Sequence, residues 1–312
     1  MPKKLPSKPS VTPPLAKSAI RKFHPHKNYA KTGCPDQVAK AIEDVAAKID
    51  MQVGIICHGR DQFRKDCQFN VFSRDVVYSW IPSLHPGKPI AVILDSPGGD
   101  PRCAYQMASA IKKVCGNYVT IVPRYAKSAA TLFSLGSATI LLAQRAELGP
   151  LDMQIRDNDD ESQRSVLEYV QSLERLEAFA LRLIDDTMQV LLQRTKKKVG
   201  TLLPHVMKFS TDLVRPLFEN VDVVQYTQMA RLHKVVEDYA IRLMTSDVRD
   251  REQAEEIAHR LTSDYSDHGY VIDFSEAEQV GLPVAYVDDD LDTQMSIIAE
   301  FAKFNSLFGL TK

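Results

Sequence analysis

The sequence has little of what marks membrane, disulfide-linked or nucleic-acid-binding proteins. It contains no run approaching the roughly twenty apolar residues that a helix needs to cross a bilayer, so we expect no transmembrane segment. Its five cysteines are widely spaced and include no C-x-x-C pair, which argues against a disulfide framework or a zinc site and for reduced thiols in the cytoplasm. The formal net charge of −1 gives no bulk attraction to nucleic acid. We expect neither a metal nor a cofactor.

Acidic residues are absent from residues 1–35, which carry eight lysines or arginines and many prolines. The prolines would break a helix early, and lysines stand where a secretory signal needs its apolar segment. This composition predicts a disordered basic tail that could contact an anionic surface. We expect the globular part of the chain to begin at residue 36.

The first feature that suggests chemistry is a glycine turn between a strand and a helix. An apolar, β-branched run at 90–94 predicts a buried strand, and it stops at the sequence DSPGGD, residues 95–100. Apolar and small residues at helical spacing then predict a helix over 101–115. The turn therefore leads into a helix N-terminus, where free backbone N–H groups attract negative charge and can form an oxyanion hole.

The same arrangement recurs around Ser128. Residues 118–123 predict a second strand, and Ser128 opens a second helix of small residues. A right-handed crossover would bring the two turns to one edge of a parallel sheet. Ser128 could then attack a carbonyl whose oxygen is held by the N–H groups of Gly99 and Ala129. Either turn alone more often has only a structural role, and a serine in this place is most often an N-cap. The interpretation therefore depends on the two turns following each other in this order.

Three motifs resemble the serine dehydrogenase proteinase family: SPGG at 96–99, YAKSAATL at 125–132 and LGPLDMQ at 148–154. That family is related to signal peptide peptidase A and ClpP and has the ClpP/crotonase fold. The resemblance extends more weakly to residue 287. It implies Ser128 as the nucleophile, the Gly99 and Ala129 backbones as oxyanion donors, a peptide or protein substrate and a homo-oligomer.

The general base does not carry over from the resemblance. No histidine occurs in 148–153, where ClpP would have one, and no lysine occurs in 161–182, where lysine-dependent peptidases would. The arginines in the second stretch stay protonated and cannot replace it. The family also usually has a glycine where Ala130 stands and an apolar residue where Lys127 stands. These departures weaken the case for ordinary proteolysis.

Three groups remain as candidate bases. Lys127 is adjacent to Ser128, but neighbours along a strand or turn normally point in different directions. The lysines at 196–198 end a predicted helix, where cations favour the helix dipole. His268 is the only histidine inside a family-like motif, with Asp267 beside it as a group that could orient the ring, although a loop histidine is more often structural. We take His268 as the candidate base.

The chain divides into four predicted regions. After the tail, residues 36–155 alternate helix and strand as expected of a ClpP-like α/β core, a parallel sheet with helices on both faces. Residues 156–265 are patterned as a large helical insertion, with helices predicted at 165–194, 199–209, 222–245 and 251–263. Residues 266–312 return to the core through a helix at 274–280 and a strand at 283–287, followed by an amphipathic helix over 288–307.

We therefore expect a cytoplasmic serine hydrolase, a peptidase that works through an acyl-enzyme on Ser128. One alternative is a scaffold or partner-binding protein that keeps the fold but has lost a usable base. The other is a crotonase-like acyl-CoA enzyme, in which the two N–H groups hold a thioester oxygen and Asp152 is the nearest candidate acid.

Overall fold

The computed structural model describes residues 21–27, 33–59, 67–152, 154–156, 163–219, 221–245, 250–265 and 267–312. The strands are β1 (Phe23–Pro25), β2 (Gln52–Cys57), β3 (Ile90–Asp95), β4 (Tyr118–Val122), β5 (Tyr125–Ala126), β6 (Thr139–Leu142), β7 (Glu147–Leu148), β8 (Gln154–Arg156), β9 (Gln163–Ser165), β10 (Val284–Tyr286) and β11 (Leu307–Thr311). The helices are α1 (Asp36–Ile49), α2 (Val71–Trp80), α3 (Pro101–Cys115), α4 (Ala129–Leu135), α5 (Val166–Thr195), α6 (Val199–Glu219), α7 (Val223–Met244), α8 (Arg251–His259), α9 (Phe274–Val280) and α10 (Asp289–Ala302).

A seven-stranded sheet in the order β1-β11-β2-β3-β4-β6-β10 forms the centre of the fold. The five strands from β2 to β10 pair in parallel, and β11 and β1 add an antiparallel edge. Every residue of β2 and β3 is buried, as continuous apolar strands of a parallel sheet require. The mostly parallel sheet flanked by helices that the sequence predicts is confirmed.

Helices pack around the sheet in two groups. Helix α1 packs against α10, while α2, α3, α4 and α7 form a second, connected group. Helix α3 begins where the sequence indicated: the Asp100 side chain accepts the N–H of Arg102 at 2.8 Å, and Pro101 takes the first helical position. It ends at Gly116, whose φ of 76° is in the left-handed region. The β3 turn is thus held between a buried strand and a capped helix.

The sequence-based boundaries are wrong in three places. Residues 23–25, assigned to the disordered tail, form β1; residues 1–20 and 28–32 of that tail lie outside the described part of the chain. The last helix ends at Ala302 instead of 307, and the chain then forms β11, so Phe304 is 77% exposed and does not share the buried face of Met295 and Ile298. Helix α6 continues to Glu219. Strands β1 and β11 pair only with distant segments, which local periodicity does not reveal.

An ion pair beneath the β3 turn ties the sheet to α10. The Asp95 carboxylate is fully buried and accepts hydrogen bonds from Nε and Nη2 of Arg124, at 2.8 and 2.6 Å. The same Nη2 donates to the carbonyl of Ala302 at 3.2 Å. Removing the guanidinium would take two hydrogen bonds and a positive charge away from a buried carboxylate.

We expect Arg124→Met to lower the free energy of unfolding by about 3–5 kcal/mol, because breaking one side of a buried pair leaves an uncompensated charge. Urea denaturation measures the change. Arg145→Met, at an exposed arginine, is the matched control and should change stability little. Equal stabilities of the two variants would contradict this role for Arg124.

Candidate active site

The diglycine turn at the end of β3 is shaped by close backbone contacts. Gly98 and Gly99 have φ values of 110° and 131°, which L side chains rarely adopt. A Cβ on Gly99 would stand 2.4 Å from the carbonyl oxygen of Phe69. The backbone of Phe69 pairs with the turn on both sides of Gly99. The Phe69 N–H donates to Gly98 O at 2.6 Å, and the Phe69 carbonyl accepts the Asp100 N–H at 2.9 Å. Only glycine fits here.

The second turn, which carries Ser128, lies directly against the first. A Cβ on Gly98 would be 2.9 Å from the Cβ of Ser128. The two turns are joined through β-type pairing of Ser96 with Ala126: the Ser96 N–H donates to Tyr125 O and the Lys127 N–H to Ser96 O, both at 3.0 Å. The structure therefore places Ser128 beside the diglycine turn.

Ser128 has an unusual backbone conformation and a hydroxyl that does not cap the helix. Its φ of 51° and ψ of −118° lie outside the regions favoured by L residues, at a typical cost of about 1–3 kcal/mol. It precedes α4, yet its side chain makes no capping hydrogen bond. The side chain is half-buried, and no partner for its hydroxyl occurs among the described residues. The usual N-cap role of such a serine is therefore absent.

The backbone amides of Gly99 and Ala129 lie near this serine and have no acceptor within the described residues. The adjacent amides of Gly98 and Ala130 are engaged. The Gly98 N–H donates to Ser96 Oγ at 3.2 Å, and the Ala130 N–H donates to Lys127 O at 2.9 Å. The two uncommitted amides belong to the two adjoining turns, where the sequence pattern predicts oxyanion donors.

The side chain of Lys127 contacts neighbouring segments of the fold. Its ammonium contacts Glu147 Oε1 at 2.8 Å and donates to the carbonyls of Leu148 and Tyr270 at 3.0 and 3.2 Å. The aliphatic chain fills the space beside Gly149, where a Cβ would lie 2.4 Å from Lys127 Cδ. These three acceptors occupy the ammonium group and direct it away from the Ser128 hydroxyl, so the contacts favour a structural role for Lys127. The other lysine candidates, at 196–198, are exposed at the end of α5.

The ring of His268 faces a different carboxylate from the one expected. Asp267 accepts the N–H of Gly269 and so closes its own turn. His268 Nδ1 is instead 3.8 Å from Oδ2 of Asp152, a buried residue of the LGPLD segment, while the His268 side chain remains 25% exposed. Asp152 was considered in the sequence only as a crotonase-type acid. The pairing joins segments that are far apart in the chain, which is why spacing missed it.

The His268 segment runs along the same edge as the serine turn. Ile272 and Leu148 exchange two backbone hydrogen bonds, of 3.1 and 2.8 Å, and Tyr270 O receives the Lys127 ammonium. No hydrogen bond within the described residues connects His268 to Ser128. The edge thus brings the serine, the free amides and a histidine–carboxylate pair into one region.

Two further histidines were overlooked in the sequence. His58 directly follows β2 and is completely buried, and burial lowers its pKa to about 3. His233, on α7, is half-buried; burial lowers its pKa, against the opposing effects of Glu237 and Asp152. The position of His58 at the end of a buried strand was the available signal, because parallel strands present functional residues at that end.

Sites for other chemistry are sparse in the part of the chain that the structure describes. No group of three or more His, Cys, Asp or Glu side chains there could hold a metal ion. All five cysteines are free thiols. None of the described helices has the length and apolar character required to cross a bilayer. A cavity of about 600 Å³ lies at the opposite end of α4, lined in part by Gly136 and Arg260, and does not include Ser128.

Comparison with known proteins gives the family that this chain resembles. Residues 73–214 match the family model described as ClpP-like SDH-type serine proteinase. This part, somewhat less than half of the chain, is similar to that family. The match contains both turns, α4 and the LGPLD segment, and it confirms the family that the sequence motifs indicate.

Two curated relatives of this proteinase-like chain are uncharacterized proteins of Methanocaldococcus jannaschii. MJ0137 is 27% identical over 211 residues, which cover 67% of this chain and 58% of the relative. MJ1495 is 26% identical over 197 residues, which cover 63% of this chain and 52% of the relative. The chain spans a little over half the length of either relative.

Among solved structures, ClpP1 from Listeria monocytogenes aligns with a TM-score of 0.39 and 11% identity, covering 80% of this chain and 99% of ClpP1. A mutant of the 1510-N membrane-bound stomatin-specific protease aligns with a TM-score of 0.29 and 17% identity, covering 43% of this chain and 62% of that protein.

The strain at Ser128 can be measured by paired substitutions. We expect Ser128→Gly to be more stable than Ser128→Ala by about 1–2 kcal/mol, because glycine adopts the positive φ without steric cost. Thermal and urea unfolding of both variants give the difference. At Ser296, an exposed position inside α10, the order should reverse, since glycine weakens a helix interior. The same order at both serines would rule out strain at Ser128.

The neutral state of His58 predicts a specific loss of stability in acid. Below pH about 6.5 the unfolded chain takes up a proton that the folded protein excludes until pH about 3, so stability falls by up to about 1.4 kcal/mol per pH unit across that window. His58→Asn should remove this contribution, whereas His85→Asn, at an exposed position, should retain it. Parallel urea titrations from pH 7 to pH 4 test it; identical pH dependences of wild type and His58→Asn would contradict it.

Proposed function

We propose that this ClpP-like protein is a serine peptidase that acts through an acyl-enzyme on Ser128. The observation that carries the proposal is the combination at one point of an uncommitted serine hydroxyl in a strained turn with the uncommitted amides of Gly99 and Ala129. An N-cap serine would use its hydroxyl, and an ordinary turn would not need the strain. Nucleophilic acyl transfer uses all three groups.

In this mechanism the Ser128 hydroxyl attacks the peptide carbonyl while His268 accepts its proton. The carbonyl oxygen becomes negative and receives hydrogen bonds from Gly99 and Ala129, each typically contributing about 3 kcal/mol to the transition state. His268 then donates the proton to the leaving amine. Water, deprotonated by the same ring, releases the acyl group and restores Ser128. Asp152, whose Oδ2 lies 3.8 Å from Nδ1 of His268, stabilises the cation formed.

The proposed substrate is a peptide or protein, and the proposed setting is a reducing compartment such as the cytoplasm, consistent with five free thiols. We also propose that the chain forms a homo-oligomer. Helix α6 supports this, because Leu203, Met207 and Leu213 remain 42–49% exposed on it. Contact of the basic tail with an anionic surface stays a prediction, since most of the tail lies outside the described residues.

A catalytically inactive scaffold is the second candidate function. It is favoured by one observation, that His268 makes no hydrogen bond to Ser128 among the described residues. In the crotonase-like alternative, Asp152 would act as the acid; its placement beside His268 supports an orienting role instead.

Labelling with a fluorophosphonate probe tests the nucleophile. We expect the wild-type protein to be labelled at one serine and Ser128→Ala not to be labelled, because phosphonylation needs both an activated hydroxyl and an oxyanion hole. Ser275→Ala is the matched control and should label normally. Mass spectrometry of the labelled peptide identifies the site. An unlabelled wild-type protein, tested at a concentration at which it is oligomeric, would favour the scaffold.

The general base is tested separately by substitutions at the His268–Asp152 pair. We expect His268→Gln to slow labelling by about 100-fold or more, as typical for loss of a general base. Asp152→Asn should also slow it, by misorienting the ring. Asp267→Asn is the control, because that side chain only accepts the N–H of Gly269. Normal labelling of His268→Gln would remove this residue from the mechanism.

A further inference from the structure

His58 is a buried titratable group that the proposed chemistry does not use, and its ring contacts the support of the diglycine turn. Its Nδ1 lies 2.9 Å from Oγ of Ser96, whose side chain is also completely buried. The same Oγ accepts the N–H of Gly98 at 3.2 Å. With the ring proton on Nε2, the Ser96 hydroxyl donates to His58 and accepts from Gly98. These two hydrogen bonds fix the rotation of the Ser96 hydroxyl.

The ring reaches the turn by a second route. It packs edge-to-face on Phe69, with centroids 5.4 Å apart and planes at 77°, and in the same way on Phe308 at 5.1 Å and 78°. The backbone of Phe69 is the group that pairs with both sides of Gly99. The His58 side chain therefore contacts the support of the turn twice, through the Ser96 hydroxyl and through the Phe69 ring.

We propose that His58 is a positioning residue that fixes the Gly98–Gly99 turn, through Ser96 and Phe69, so that the Gly99 N–H is directed at the carbonyl attacked by Ser128. This inference rests on the proposed function. The Gly98 amide is held by Ser96, which leaves Gly99 as the amide of this turn available to an oxyanion. A buried, neutral imidazole suits the task because its acceptor does not change with pH near neutrality.

A pure packing role for His58 predicts different behaviour. Nε2 of His58 is buried and has no partner among the described residues, which costs stability in the folded state. If the ring only filled space, an apolar residue of similar size would serve better than histidine. Positioning instead requires an acceptor at the place of Nδ1.

Leucine and asparagine at position 58 separate these roles because they have similar shapes and only asparagine offers an acceptor near Nδ1. We expect His58→Leu to slow fluorophosphonate labelling of Ser128 by about tenfold or more, within the range for an impaired oxyanion donor. His58→Asn should label within about threefold of wild type, although leucine should give the more stable core. Ser96→Ala should match His58→Leu, and the double variant should be no slower than either.

The exchange of the Gly98 amide with solvent, followed by NMR, reports on the turn without requiring reactivity. We expect it to accelerate by about tenfold in His58→Leu and Ser96→Ala, as for the loss of one hydrogen bond, and to be unchanged in His58→Asn. The Val92 amide in β3 is the internal control. Equal labelling by the leucine and asparagine variants, or unchanged Gly98 exchange in His58→Leu, would overturn the proposal. If wild type is not labelled, the proposed function fails, and Gly98 exchange decides whether His58 holds the turn.

Discussion

The contact between the Gly98–Gly99 turn and its two neighbours is the constraint on which the site depends. On one side the turn is paired with the backbone of Phe69, and on the other it touches Ser128. A side chain on either glycine would collide with one of them. The parallel order of β3, β4 and β6 brings these segments to the same edge, and backbone pairing between Ser96 and Ala126 fixes their spacing.

The two charged side chains at this edge, Lys127 and Asp152, differ in role because they contact different partners. Lys127 is occupied by Glu147 and two carbonyls, which connects the serine turn to the LGPLD and His268 segments. Its departure from the family pattern is thereby explained as a structural cation. Asp152 is left to face His268, and we propose this pair as the acid–base group that motif comparison did not find.

Local sequence pattern predicted the central part of this fold well. The strand at 90–94, the turn of two glycines and the helix from Pro101 to Cys115 were all evident, because apolar β-branched runs, glycine and an N-terminal Asp-Pro pair act within a few residues. The edge strands were not evident. Strand β11 forms because β1 and β2 satisfy its backbone groups, and both partners lie far from residues 307–311 in the chain.

The sequence by itself determined where the turns occur, which serine opens α4 and where free amides would be found, because these depend on neighbouring residues. Only the tertiary structure decided that Asp152 and not Asp267 faces His268, that Lys127 is bound by carbonyls, and that His58 supports Ser96. Each of these contacts joins residues many positions apart in the chain. Their geometry is set by strand order and crossover, and the residue types alone do not specify it.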